Sequence, residues 1–160
     1  MRVVPLASDD WPRLRAIRLR ALIDAPDAFS GTFEEAFART PEGWAKQLRE
    51  MSTFVAVRNG IDIGVVRVAH DEVTPRSAWL LSMWVAPEER NRGVGAALVD
   101  TVIDYARASG VERVLLDVAD LNEPAIALYR RKGFDPNGDA GTFPPPREHV
   151  REHRRQLRLR

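Results

Sequence analysis

The stretch Pro87 to Leu98, PEERNRGVGAAL, holds the residues of this 160-residue chain best suited to bind an anion. Gly93 and Gly95 stand one residue apart and open what the apolar spacing predicts to be a long helix. The first turn of a helix leaves backbone N–H groups unpaired and carries partial positive charge, so it favours anions. Glycines there let a phosphate come close with no Cβ in the way, and Arg90 and Arg92 add cationic donors. The alternative is a plain strand-to-helix turn whose glycines serve tight packing. Two well-known phosphate loops do not fit. A P-loop needs Lys-Ser/Thr directly after its last glycine, where Ala96 and Ala97 stand. A dinucleotide fingerprint needs a third glycine where Leu98 sits and a first glycine directly off the strand, whereas Pro87 to Arg92 intervene. Asp117 alone matches, lying about the right distance on for that fingerprint's acid.

A third pattern accounts for more of the chain. Arg90-x-x-Gly93-x-Gly95 follows a strand, and downstream comes NEPAIALYRRKGF, Asn122 to Phe134. In this order the chain resembles the GNAT superfamily of acyl-CoA-dependent N-acyltransferases, densely from Trp79 to Phe134 and more loosely over the N-terminal helix and hairpin. The resemblance implies an α+β fold: a mixed central sheet with splayed parallel strands, flanked by helices. It implies acetyl-CoA as cofactor, its pyrophosphate held by backbone N–H groups of Arg90, Asn91, Arg92, Gly93, Val94, Gly95 and Ala96. It implies that the pantetheine arm pairs with Met83, Trp84 and Val85 at the end of the preceding strand. Asn122 and Tyr129 match the family's positions beside the pantetheine and the thioester sulfur. The implied reaction is direct attack of a neutral amine on the acetyl carbonyl, with backbone N–H groups stabilising the oxyanion and coenzyme A leaving as a thiolate. Tyr129 is then the candidate acid, since a phenol of pKa about 10 is a reasonable proton source for a thiolate. Its structural alternative is a core tyrosine on the apolar face that Ile126 and Leu128 share.

The base is less evident, because SAWLLSMWV, the strand that would carry it in many relatives, contains no Asp, Glu or His. Glu34, Glu35 and Asp117 are the candidates; paired helix glutamates are otherwise solvated, and an acid at a strand end is otherwise a cap. Phe29, Phe33, Glu34 and Glu35 are the candidate acceptor-side residues. The aromatics Trp11, Phe29, Phe33, Phe37 and Trp44 either line a pocket or fill the core. His70, His149 and His153 share no metal-ligand spacing on one element, so no metal is assigned.

These residues need a scaffold, and the hydrophobic pattern supplies one. VVPLA reads as a strand. Leu14, Ile17, Ala21 and Leu22 form a helical stripe, with Ser8 as its cap. A loop with Gly31, a short helix, and a helix entered through Thr40 and Pro41 come next. Two β-rich runs flank Arg58-Asn59-Gly60, a hairpin signal, and SAWLLSMWV is a third strand. Val94, Leu98, Thr101, Val102 and Tyr105 mark a helix ended by Ser109-Gly110. ERVLLDVA is apolar enough for a strand covered on both faces. Asn122 caps a last helix, stopped by Gly133. DPNGDAGTFPPP reads as loop, and the tail as a final strand. A hairpin followed by strand–helix–strand makes a mixed sheet whose last pair is parallel.

Composition bounds the function classes. Hydrophobic residues make up 44%, charged residues 29%, and there is no cysteine, which excludes disulfides, thiolate metal sites and cysteine nucleophiles. No signal-peptide h-region and no membrane-length apolar run is present, so a single cytoplasmic domain over residues 1–160 is expected, with no membrane partner. The net charge of +1 gives no argument for a polyanionic partner. The tail REHVREHRRQLRLR is arginine-rich but alternates as an exposed strand does, and no nucleic-acid motif accompanies it. The leading expectation is an N-acetyltransferase acting on a small-molecule amine. The alternatives are a protein N-terminal or lysine acetyltransferase and a non-catalytic acyl-CoA-binding module. Dimers are common in such folds, though no residue here argues for a homodimer.

Overall fold

The computed structural model describes residues 1–159; Arg160, the last arginine of the basic tail, lies outside them. Seven strands form one sheet in the order β1-β2-β3-β4-β5-β7-β6. They are β1 (Arg2–Pro5), β2 (Ser52–Arg58), β3 (Ile61–His70), β4 (Ser77–Val85), β5 (Arg113–Ala119), β6 (Asp135–Thr142) and β7 (Arg151–Arg158). Only β4 and β5 pair in parallel, as the strand–helix–strand order between them requires. Helices α1 (Trp11–Asp24), α2 (Phe33–Ala38) and α3 (Pro41–Glu50) cover one face, and α4 (Val94–Ala108) and α5 (Glu123–Arg131) the other. The fold is the mixed, helix-flanked sheet that the sequence predicts.

Each face has its own core. Leu14, Ile17, Ala21 and Leu22, the predicted stripe of α1, are all buried against Val55, Val57, Val65 and Trp84. On the other side Val94, Leu98, Val102 and Ala106 of α4 pack on Ala56, Val66, Val68, Ala78 and Leu80. A fully buried Val, Leu or Ile contributes roughly 1.5–3 kcal/mol, so the two stripes hold the helices on without help from the surface ion pairs. Asn59 and Gly60, at φ of 52° and 75°, make the tight β2–β3 turn, and the Thr40 side chain accepts from Gly43 N at 3.1 Å to start α3.

Two local expectations are overturned. Ser8 does not cap α1: it begins a 3-10 turn, Ser8–Asp10, and Asp10 occupies the cap position. The segment read as loop after Phe134 is largely strand β6. It is fully exposed, pairs only with β7 and is interrupted between Pro136 and Ala140, where Gly138 has φ 94°. An edge strand with neither face buried needs no apolar alternation, so periodicity had nothing to detect.

The decisive irregularity is in β4. Ala78 and Leu80 face α4, but beyond Ser82 it is Met83 and Val85 that do so, while Trp84 turns to the α1 side. The parity flips because Ser82 and Met83 together oppose one residue of β3, with Arg67 paired to Leu81 and Val65 to Trp84. Ser82 carries the bulge at φ 58°. A bulge bends its strand and increases its twist. On the other edge, β4 pairs with β5 only from Ser77 to Trp79. From Leu80 on, the two strands part.

Candidate active site

The glycine loop sits at the open end of this split. Arg90 N bonds Pro87 O at 3.3 Å, and Ala97 N bonds Gly93 O at 3.1 Å. Between them the N–H groups of Asn91 through Ala96 are in hydrogen-bond geometry with no backbone carbonyl among the described residues. Asn91 at φ 61° and Gly93 at φ 84° place left-handed residues in this run. Such alternation makes backbone N–H groups converge on an anion. The glycines divide the work. Beside Gly93 there is open space, whereas a Cβ on Gly95 would lie 3.0 Å from Leu128 Cδ2. Gly95 therefore lets α4 seat against α5, and only Gly93 is left with the open approach that was expected of both.

The two arginine side chains are engaged elsewhere. Arg90 donates to Val85 O at 3.0 Å and to Asp24, which also accepts from Trp84 Nε1 at 3.0 Å. These bonds hold the Asp24 carboxyl below its ordinary range, the Trp84 bond contributing most. Arg92 lies 3.3 Å from Glu89. The loop's anion-binding capacity is thus carried by its backbone.

Two cavities meet where the strands part. The first, about 920 Å³, is lined by Met83, Trp84, Val85, Arg90, Asn91 and Gly93 to Ala96, and across the split by Ala119, Asn122 and Leu128. The second, about 420 Å³, opens toward α1–α3. They share Ala28, Met83, Ala119, Asn122 and Ala125. The residues present suit an extended anionic thioester: free N–H groups at one end, an unpaired strand edge along the middle, and a junction into a second chamber. Asn122 Oδ1 accepts from Ala125 N at 3.4 Å as the cap of α5, which leaves its amide NH₂ to donate.

Of the sequence-predicted residues, the first cavity brings together all of the proposed cofactor group except Arg92 and Tyr129. Tyr129 lines the second cavity instead, 5% exposed, edge-on to Phe134 at 6.0 Å. Burial pushes its hydroxyl well above the ordinary phenol range. Phe29 and Glu35 line the second cavity, while Phe33 and Glu34 line neither. Phe33 instead stacks on Phe37 at 5.7 Å, and Glu34 is exposed. Asp117 also lines the second cavity, but both its oxygens accept from Arg154, at 2.9 and 3.2 Å. Trp44 is wholly buried core.

Three residues of the second cavity were missed. Glu152 on β7 pairs with Ala119, at the split. Burial, then the charge of Asp117, raise its pKa. Nothing short of the β5–β7 register reveals it. Arg18 and Arg67 also line this chamber, 6% and 7% exposed. Arg67 had a signal, as the one charge inside the apolar run GVVRVA.

Comparison with known proteins agrees with this architecture. A family model described as Acetyltransferase (GNAT) family matches residues 13–134. The mycothiol acetyltransferase of Propionibacterium freudenreichii subsp. shermanii is 27% identical over 157 residues, covering 98% of this chain and 50% of that protein. The streptothricin acetyltransferase of Streptomyces lavendulae is 37% identical over 83 residues, covering 51% of this chain and 43% of that protein. The chain thus spans half or less of the length of these relatives. The Salmonella typhimurium protein yncA, solved with its cofactor acetyl-CoA, superposes with a TM-score of 0.80 at 18% identity, covering 100% of this chain and 94% of that one.

Proposed function

This chain belongs to the GNAT acetyltransferase family, and we propose that it transfers an acetyl group from acetyl-CoA to the amine of a small molecule by direct attack. The observation that carries the reading is the junction of the two cavities at the β4–β5 split. It lets donor and acceptor enter from opposite faces of the sheet and meet between Met83 and Ala119. A chamber of about 420 Å³ that reaches buried side chains suits a small acceptor better than a protein surface.

Bound acetyl-CoA supplies a thioester whose carbonyl carbon is the electrophile and whose sulfur leaves. The N–H groups from Arg90 to Ala96 bind its pyrophosphate, Arg90 and Arg92 contributing backbone only. Met83 to Val85 offer the free strand edge to the pantetheine arm, and Asn122 donates its amide beside it. Across the reaction the amine must lose a proton and the leaving sulfur must gain one. Glu152, its affinity for protons raised by burial, is the base. Tyr129 is the donor at the sulfur. With its pKa pushed up, full transfer to a thiolate of pKa about 8.5 is uphill. Its main contribution is therefore a hydrogen bond that steadies the developing charge. Tyr129→Phe should lower kcat roughly 10- to 100-fold, the worth of a hydrogen bond to a charged group, with little change in acetyl-CoA affinity. Unchanged turnover would remove Tyr129 from the reaction.

Acetyl-CoA at about 100 times its Kd should stabilise the fold by about 2.7 kcal/mol, raising Tm by roughly 5–10 °C for a chain of this size. No shift at millimolar acetyl-CoA would refute the donor site. Release of free thiol across a panel of amines then tests turnover against mere binding.

A further inference from the structure

The second cavity is electrostatically polarised. Arg67 on β3 donates through Nε and Nη2 to Ser82 Oγ, at 3.1 and 2.8 Å, and through Nη1 to Gln47 Oε1 at 2.7 Å. All of these acceptors are neutral. Arg18 on α1 lies over the Phe29 ring, 4.8 Å from its centroid, and its Nη1 is buried with no hydrogen-bond partner among the described residues. No carboxylate acts on either guanidinium, and Arg39, which lines the same chamber, adds a third cation. Elsewhere in the fold the less buried arginines do find acids, as Arg13 finds Asp62 and Arg154 finds Asp117.

A buried charge without a counter-charge costs several kcal/mol. Burial first, and the neighbouring arginines second, push Arg67 down to about 9; burial and Arg39 push Arg18 down to about 10. At neutral pH both remain cations. The cost is recovered only when an anion enters. The opposite wall has the reverse character, with Glu152 on β7, Asp117 on β5 and Glu35 on α2. A bare amine would leave the arginines uncompensated, and a polyamine would set a second cation against them.

We infer that the acceptor carries a carboxylate as well as its amine, as an α-amino acid does, with the carboxylate held by Arg18 and Arg67 and the amine turned toward Glu152. The planar guanidinium fork matches a carboxylate in two-point contact. Ser82 gives the bulge a second task, since its hydroxyl fixes the fork of Arg67 toward the chamber. The inference rests on the acetyltransferase reading and narrows its acceptor.

The test is thiol release at fixed acetyl-CoA from a panel of L-α-amino acids, each matched with the amine left by removing its carboxylate. The amino acids should be preferred roughly 10- to 100-fold in kcat/KM, the worth of charge-assisted bonds. Arg67→Met and Arg18→Met should abolish that preference by raising the amino-acid KM while changing the matched amines little. Arg67→Lys, which keeps the charge without the fork, should retain part of it. The acetyl-CoA shift in Tm should survive in all three, showing an intact donor site. If Arg67→Met fails to melt cooperatively, Arg18→Met and the wild-type panel still decide. Equal or faster use of the decarboxylated amines, or a preference that persists in both methionine variants, overturns the inference and leaves the acetyltransferase reading standing. Absence of both thiol release and an acetyl-CoA shift defeats that reading, and the inference with it.

Discussion

Replacing Glu152 with Gln is expected to lower kcat/KM at neutral pH by about 10²-fold or more, the range set by removal of a general base. It should also abolish the acid limb of the pH–rate profile. The geometric ground is its place on β7, opposite Ala119, in the chamber next to the split. Burial contributes most to its raised pKa, with Asp117 and Asp120 adding to it and Arg154 opposing. Wild-type activity should fall as pH drops through that raised value, because the carboxylate then already holds the proton. Asp117→Asn removes a neighbouring charge and should move the acid limb to lower pH. Stability runs the other way from catalysis. A carboxyl with a raised folded pKa binds more protons folded than unfolded, so its contribution is lost as pH rises through the window between the unfolded and folded values. Glu152→Gln should therefore raise Tm at neutral pH, and the gain should vanish below about pH 4, where the acid is protonated in both states. Full turnover with an unchanged acid limb in Glu152→Gln would exclude it as the base.

The second large effect is expected at Gly93. Its φ of 84° puts it where a β-branched residue pays of order 1–3 kcal/mol. Nothing crowds the position, so the penalty comes from backbone conformation alone. Gly93→Val should weaken acetyl-CoA binding roughly 10- to 100-fold, as the loop leaves the left-handed region and the N–H groups from Asn91 to Ala96 cease to converge. Gly93→Asn separates conformation from side-chain bulk. Asparagine tolerates this region, as Asn91 already does at φ 61°, and should keep most of the affinity. Gly95→Ala should act by another route. Its Cβ meets the end of Leu128, a flexible side chain, so the cost should fall on the α4–α5 contact and be read in Tm more than in Kd. Equal loss of acetyl-CoA affinity in Gly93→Val and Gly93→Asn would show that open space, not conformation, is what the position supplies.

Much of this protein is local, and local features are legible in a chain. The stripe of α1, the Asn59-Gly60 turn, the Thr40 and Asn122 caps and the apolar β5 each depend on residues a few positions apart. Neighbour-to-neighbour sterics and a 3.6- or 2-residue period are enough to predict them. The glycine loop and the Asn122–Phe134 run belong to the same class, which is why the family was recognisable before any coordinates. Where elements rely on pairing rather than burial, that logic fails. β6 carries no apolar face to betray it, and Ser8 yielded the helix cap to Asp10 because an intervening 3-10 turn moved the start. The acceptor chamber lies further still from local reading. It exists because a bulge at Ser82 bends β4 away from β5, and because β7 then lays Glu152 beside Ala119, across the split from Arg67 on β3 and Arg18 on α1. Residues 18, 67 and 152 are distant along the chain, and only long-range strand register brings them to one cavity. Sequence alone thus determined the family and the donor loop, through spacing and backbone propensity. The base and the charge of the acceptor site were decided by tertiary packing, because they depend on which side chains lose water together.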